Sequence, residues 1–75
     1  MRPELLLGRV FGVEPALLDD GSCSATLPQW TSLAHVNLLL ALETEYGVRL
    51  TLQDALEATS VGAVKRVLAR LGARW

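Results

Sequence analysis

A continuous, mostly apolar segment lies between Ser32 and Gly47, near the middle of this 75-residue chain. It contains only two charged residues, both glutamate, and half of its positions are leucine or alanine. Leucine and alanine are strong helix formers, and a glycine directly afterwards can adopt the left-handed conformation that ends a helix. We therefore predict a helix from Ser32 or Leu33 to Tyr46, and expect it to form the centre of the fold.

Apolar spacing and capping residues predict three further helices. The first spans Glu4–Phe11 and stops at Gly12. Thr51 can cap a short helix over residues 52–58, and Ser60 can cap a final one. The side chains predicted to face inward are Leu6 and Val10 in the first helix with Val13 just after it, Val36, Leu38, Leu39, Leu42 and Tyr46 in the central helix, and Val61, Val64, Leu68 and Leu71 in the last.

Residues 14–29 are rich in turn-forming residues and are predicted to form a long loop. The apolar residues of this loop, and Trp30 directly after it, are expected to anchor the loop to the helices. The basic residues of the last helix are expected to face water. The expected fold is therefore all-α: a small four-helix bundle with a long first loop and a short third helix, in a single domain over residues 1–75. The expected anchors are Leu17, Leu18, Leu27 and Trp30, and the expected water-facing residues are Lys65, Arg66 and Arg70.

Charge and composition argue against several classes of function. The net charge is −1 and there is no basic run, so we expect no nucleic-acid binding. No apolar run approaches the ~20 residues that a membrane-spanning helix needs, and no signal peptide is recognisable, so a cytoplasmic protein without membrane contact is expected. Cys23 and His35 are the only residues of their types, so neither a disulfide nor a metal site is expected.

Ser32 can be interpreted in three ways from the residues alone. A Thr-Ser pair before an apolar helix is an ordinary N-cap. Alternatively, an exposed hydroxyl at a helix end can carry a phosphate-linked group, which the positive end of the helix dipole favours. A serine hydrolase would need a base held by a third group, and His35, one turn along the helix, has no carboxylate beside it. We therefore do not expect an enzyme.

A family resemblance favours attachment. The motif Trp30-Thr31-Ser32-Leu33, the segment ALETEYGV at 41–48 and the step TSVG at 59–62 resemble the acyl carrier protein family, and the similarity covers most of the chain. The resemblance implies that Ser32 carries 4′-phosphopantetheine, attached from coenzyme A by a phosphopantetheinyl transferase. It also implies a free-standing, monomeric carrier that holds an acyl group as a thioester for acyl-loading, condensing or tailoring enzymes.

Two departures from the family pattern affect which pathway and which partners are expected. Thr31 stands where the family usually has aspartate, and the helix after Ser32 lacks most of the acidic residues that basic partners recognise. A specialised pathway such as polyketide biosynthesis is therefore favoured, and the alternative is an interaction module of the same fold without the prosthetic group. Partner contacts are expected from Thr31, Leu33, Val36, Leu40 and Glu43, although burial in the core is an equal alternative for Leu33 and Leu40.

Overall fold

The computed structural model describes all 75 residues and contains four α-helices and no β-sheet, as predicted. They are α1 (Pro3–Phe11), α2 (Ser32–Tyr46), α3 (Leu52–Glu57) and α4 (Val61–Arg70), and a short 3-10 helix over Pro15–Leu17 lies in the first loop. The predicted α2 is confirmed, while α1 begins one residue early and α3 ends one residue early. None of the helices combines the length and the apolar character needed to cross a membrane.

Four of the helix boundaries are set by the capping residues that the sequence predicted. Gly12 and Gly47 end α1 and α2 with φ of 69° and 63°, in the left-handed region that a residue without Cβ adopts without strain. The Thr51 hydroxyl accepts the Asp54 N–H at 3.1 Å, and the Asp54 carboxylate accepts the Thr51 N–H at 3.0 Å. This reciprocal capping box starts α3, and the Ser60 hydroxyl caps α4 in the ordinary way.

The core is formed by α1, α2, α4 and the loop residues between them. Leu38 and Leu42 are the two buried residues of α2. Val36 was expected on the same face but is 52% exposed. It lies two positions before Leu38, which corresponds to a rotation of about 200° around the helix, so the two side chains point to opposite sides. Leu39 is half-buried. The buried core comprises Leu6, Leu7, Phe11, Leu18, Trp30, Leu38, Leu42, Ala58, Val61, Val64 and Leu68.

The long first loop is held against the bundle rather than projecting from it. Leu18 is buried and Leu27 packs against the core, as predicted. Leu17 is 72% exposed, which contradicts the prediction, because the 3-10 turn directs it outward and the next residue inward. The carbonyls of Asp20 and Ser22 accept the first two N–H groups of α4 at 2.9 and 3.0 Å. The loop is therefore fastened to α4 by main-chain hydrogen bonds.

Lys65 joins three parts of the chain, which the sequence analysis did not predict. Its ammonium group lies 2.6 Å from the Glu4 carboxylate and 2.8 Å from the Asp20 carboxylate, and its side chain is only 25% exposed. The expectation that Lys65 faces water is therefore wrong, since pairing with two carboxylates compensates for its partial burial. The hydrogen bond from Lys65 lowers the pKa of Glu4, which is itself nearly buried. Arg66 is exposed, as predicted.

Arg70 is exposed, as predicted, but it also connects α4 to α3. Its guanidinium donates to the carboxylates of Asp54 and Glu57. The pKa of Asp54 lies below its ordinary value, chiefly because the carboxylate accepts a hydrogen bond from the Thr51 N–H. Burial raises this pKa, but the hydrogen bond and the positive charge of Arg70 lower it further. The short helix α3 is therefore held to the bundle through ionised side chains.

Candidate functional site

The N-cap of α2 is Thr31, not Ser32. Thr31 has extended backbone angles, and its side-chain oxygen accepts the Ala34 N–H at 3.1 Å. Ser32 is the first helical residue, its side chain is exposed, and its hydroxyl makes no hydrogen bond within the chain. The capping role that competed with attachment thus belongs to the neighbouring residue. The Ser32 hydroxyl is left free for chemistry at an ordered helix end.

Trp30 fixes the path of the chain two residues before Ser32. Its side chain is 6% exposed, and its ring centroid lies 4.8 Å from that of Phe11 in α1. Its indole N–H donates to His35 Nδ1 at 3.0 Å. Trp30 is therefore the loop anchor that the sequence predicted. Through Phe11 it contacts α1, and through His35 it contacts the first turns of α2, so it fixes the position at which α2 begins.

Both ring nitrogens of His35 make hydrogen bonds, and neither of them contacts Ser32. Nδ1 accepts from Trp30, while Nε2 lies 3.1 Å from the carbonyl oxygen of Ala55 in α3. Because Nδ1 accepts, Nε2 must carry the proton and donate it to that carbonyl, which requires the neutral ring. A base that could activate Ser32 is therefore not in place, and the geometry gives no support to a hydrolase built on these two residues.

The surroundings of Ser32 are compatible with a bound phosphodiester. The backbone N–H groups of Ser32 and Leu33 have no acceptor within the chain, and the first turn of α2 contains no acidic residue. Unpaired N–H groups and the positive helix dipole favour an anion at this position. Beside the serine lies an open cleft of about 400 Å³ lined by Ser24, Trp30, Thr31, Ser32, His35, Val36 and Thr59.

The side chains predicted to contact partners lie on the surface of α2, with one difference. Leu33, Val36 and Leu40 are between 52% and 72% exposed, so the alternative of core burial for Leu33 and Leu40 is wrong. Thr31 is also exposed. Glu43 is half-buried, and its carboxylate accepts the Leu50 N–H at 2.8 Å, which links the end of α2 to the segment before α3.

Two exposed leucines of α3 were missed by the sequence analysis. Leu52 is 77% exposed and Leu56 is 64% exposed. No sequence signal indicates their orientation, because the capping box is a contact within α3; in the structure, Asp54 is the residue of α3 that is buried against the bundle. Residues two positions before and after Asp54 are rotated about 200° from it and so face outward. These leucines extend the set of exposed apolar side chains beyond α2.

The comparisons with known proteins find similarity in structure but not in sequence. No protein-family model matches the chain, and no curated protein sequence matches it significantly. Among solved structures, the chain is similar to the NMR structure of a holo acyl carrier protein from Geobacter metallireducens, with a TM-score of 0.80 and 22% sequence identity. The match covers 91% of this chain and 78% of that protein. The chain therefore has the fold of an acyl carrier protein.

Proposed function

We propose that this protein is an acyl carrier whose attachment residue is Ser32. The observation that carries the proposal is an exposed hydroxyl without an internal hydrogen bond, at the first position of an ordered helix, in a chain with the carrier fold. The prosthetic group would be 4′-phosphopantetheine, whose thiol holds the acyl group as a thioester. The chain itself would catalyse no step and would present the acyl group to partner enzymes.

Attachment requires one substitution at phosphorus. The Ser32 Oγ forms a bond to the pantetheine-side phosphorus of coenzyme A, the pyrophosphate bond breaks, and 3′,5′-adenosine bisphosphate leaves. The serine proton passes to a base of the phosphopantetheinyl transferase, because His35 is engaged elsewhere. The residues of this chain contribute position and electrostatics, since the unpaired N–H groups at the start of α2 stabilise the phosphodiester formed there.

The exposed apolar side chains support partner recognition by apolar contact more than by charge. The two glutamates near the end of α2 are already engaged, Glu43 with the Leu50 N–H and Glu45 with Arg9 at 3.6 Å. Long-range steering of a basic partner should accordingly be weak. The side chains proposed to touch acyl-loading, condensing or tailoring enzymes are Thr31, Leu33, Val36, Leu40 and Glu43, together with Leu52 and Leu56.

This surface is the reason for proposing polyketide or other specialised biosynthesis rather than general fatty-acid synthesis. An enzyme that recognises an acidic helix would find few free carboxylates on α2, so a dedicated set of partners is the better match. Loading and extension assays test this point. Equal acceptance of this carrier by general fatty-acid enzymes, relative to their own carrier, would contradict it.

The attachment itself is tested by intact mass spectrometry. The protein is incubated with coenzyme A, magnesium and a broad-specificity phosphopantetheinyl transferase. The parent should gain the mass of one phosphopantetheine, and Ser32→Ala should gain none. Ser24→Ala is the matched control, because that serine lines the same cleft but is not proposed to react, and it should be modified like the parent.

An unmodified parent, in a tube where a standard acyl carrier is modified, would contradict the proposal. The protein would then be better explained as an interaction module of the carrier fold without a prosthetic group. Co-purification of the unmodified chain with one stoichiometric partner would support that alternative. Thr31→Asp in the same assay shows whether the missing charge is what prevents modification.

A further inference from the structure

Two hydrogen bonds that fix the start of α2 involve His35. Its backbone N–H donates to the Thr31 carbonyl at 2.8 Å, which is the first main-chain bond of the helix. Its Nδ1 accepts the indole N–H of Trp30 at 3.0 Å, and the imidazole and indole rings lie 25° from parallel. The residue that closes the first turn of α2 therefore also holds the loop end that leads into that turn.

Trp30 depends on His35 for its one polar group. The indole ring is 6% exposed, and an N–H on a ring buried to this degree needs an acceptor, which His35 supplies. The other contacts of Trp30 are with the Phe11 ring and, through its backbone N–H, with the Leu27 carbonyl. Loss of the acceptor would leave the indole N–H unpaired and would favour a displaced ring.

The position of Ser32 depends on these contacts because this residue has few of its own. Its hydroxyl and its backbone N–H make no hydrogen bond within the chain. The turn closed by His35 follows it, and the anchored Trp30 lies two residues before it. Displacement of the indole would therefore reach the attachment hydroxyl across two peptide units.

The bond to Trp30 exists only with the neutral form of His35. The protonated ring would turn a second N–H toward the indole N–H and lose this bond, while the bond from Nε2 to the Ala55 carbonyl would remain. No other charged side chain and no thiol lines the cleft beside the ring. The acidic side chains of α2 and α3 are bound to other groups: Glu43 to the Leu50 N–H, Glu45 to Arg9, and Asp54 and Glu57 to Arg70.

Resting on the attachment at Ser32 proposed above, we infer that His35 is a positioning residue for that modification and acts through its bond to Trp30. The neutral ring holds the Ser32 Oγ where a transferase can align it with the phosphorus of coenzyme A. Protonation of the ring releases Trp30, so the hydroxyl is less often in that geometry. Modification should therefore weaken in acid for a reason that lies in the carrier rather than in the transferase.

Two substitutions remove the side-chain bonds of His35 one at a time. His35→Asn can place a carbonyl oxygen where Nδ1 lies, so it keeps an acceptor for Trp30 and loses the donor to Ala55. His35→Gln can place an amide N–H where Nε2 lies, so it keeps the donor to Ala55 and loses the acceptor. Neither replacement titrates. Trp30→Phe removes the same bond as His35→Gln from the other side and keeps an aromatic ring against Phe11.

The assay is single-turnover modification with coenzyme A and transferase in excess, below the Tm of every variant and at about pH 8, where histidine is neutral. His35→Gln and Trp30→Phe should each lower the maximal rate about tenfold and change the half-saturating transferase concentration less than about twofold. Combining them should add nothing further, because both remove one interaction. His35→Asn should keep the parental rate. Should His35→Gln fail to fold, Trp30→Phe tests the same bond.

The pH profile separates positioning from a general loss of structure. Each rate is divided by that of His35→Asn at the same pH, which cancels the pH dependence of the transferase. From about pH 8 to about pH 5.5, the range in which histidine gains its charge, the parental ratio should fall from about one toward the ratio of His35→Gln. The ratio of His35→Gln should stay constant. Hydrogen exchange of the Trp30 indole N–H, followed by NMR relative to His35→Asn, should accelerate over the same range in the parent.

Each outcome decides a different claim. A parent that is modified at no pH contradicts the attachment at Ser32 and the role of His35 together. A parent modified no faster than His35→Gln, or a parental ratio that does not change with pH, refutes the positioning role and leaves the attachment intact. A slow His35→Asn beside a fast His35→Gln would also overturn the inference, because the bond to Ala55 would then be the one that matters.

Discussion

Replacing Thr31 and Ser32 separately by alanine distinguishes a capping residue from an attachment residue. Thr31→Ala removes one hydrogen bond, to the Ala34 N–H, and should cost about 1 kcal/mol, as is typical for loss of a threonine N-cap. Ser32→Ala removes no internal hydrogen bond and places a better helix former at an exposed position, so its effect should lie within about 0.5 kcal/mol of zero.

Thermal unfolding followed by far-ultraviolet circular dichroism measures both changes. For a domain of this size, about 1 kcal/mol corresponds to a fall in Tm of roughly 4–8 °C, which is easily resolved. Thr31→Asp is the matched control, because aspartate caps as well as threonine and favours the positive helix end, so its Tm should not fall. A Tm loss with Ser32→Ala that equals or exceeds the loss with Thr31→Ala would refute the assignment of roles.

Three other perturbations test the packing and the surface. Folding lowers the pKa of Asp54, so its carboxylate stabilises the fold above the ordinary aspartate pKa, and this contribution disappears as the pH falls through the lower pKa of the folded state. The Tm difference between the parent and Asp54→Asn should therefore shrink on acidification. A difference that stays constant with pH would contradict this. Leu38→Ala should cost about 2–5 kcal/mol in urea unfolding, because the side chain is fully buried, and a loss below about 1 kcal/mol would show that the core relaxes around it. Leu40→Ser should lower kcat/KM for the phosphopantetheinyl transferase or a partner enzyme without lowering Tm. Leu17→Ser, at a leucine of the first loop that is also well exposed, should change neither quantity. Equal effects of the two substitutions would argue against a specific contact surface on α2.

The helices could be predicted from the sequence because local chemistry determines where they begin and end. Gly12 and Gly47 end two helices, and Thr51 and Ser60 start two others, each through contacts within four residues. Orientation was harder to predict. The apolar residues of α2 surround the helix, so periodicity alone could not distinguish the buried Leu38 from the exposed Val36.

The candidate site was only partly predictable for a related reason. The motif marks Ser32 as the candidate attachment residue, but which of the two adjacent hydroxyls caps α2 depends on backbone angles that the sequence does not specify. The contacts of His35 with Trp30 and Ala55, and those of Lys65 with Glu4 and Asp20, join residues that are mostly far apart in sequence. Such partners are chosen by tertiary packing, which no short-range pattern specifies.

The nascent chain cannot complete its fold before α4 has been synthesised. This helix supplies Val61, Val64 and Leu68 to the core, all with 0% exposure, and its first N–H groups hold the long loop. A ribosome delivers α4 after the other three helices, so a nascent chain that lacks it has neither a complete core nor an anchored loop. Folding must therefore wait until α4 has left the exit tunnel. Only from that moment does the start of α2 present Ser32 in a fixed geometry, so any modification that depends on the folded shape has to follow the synthesis of α4.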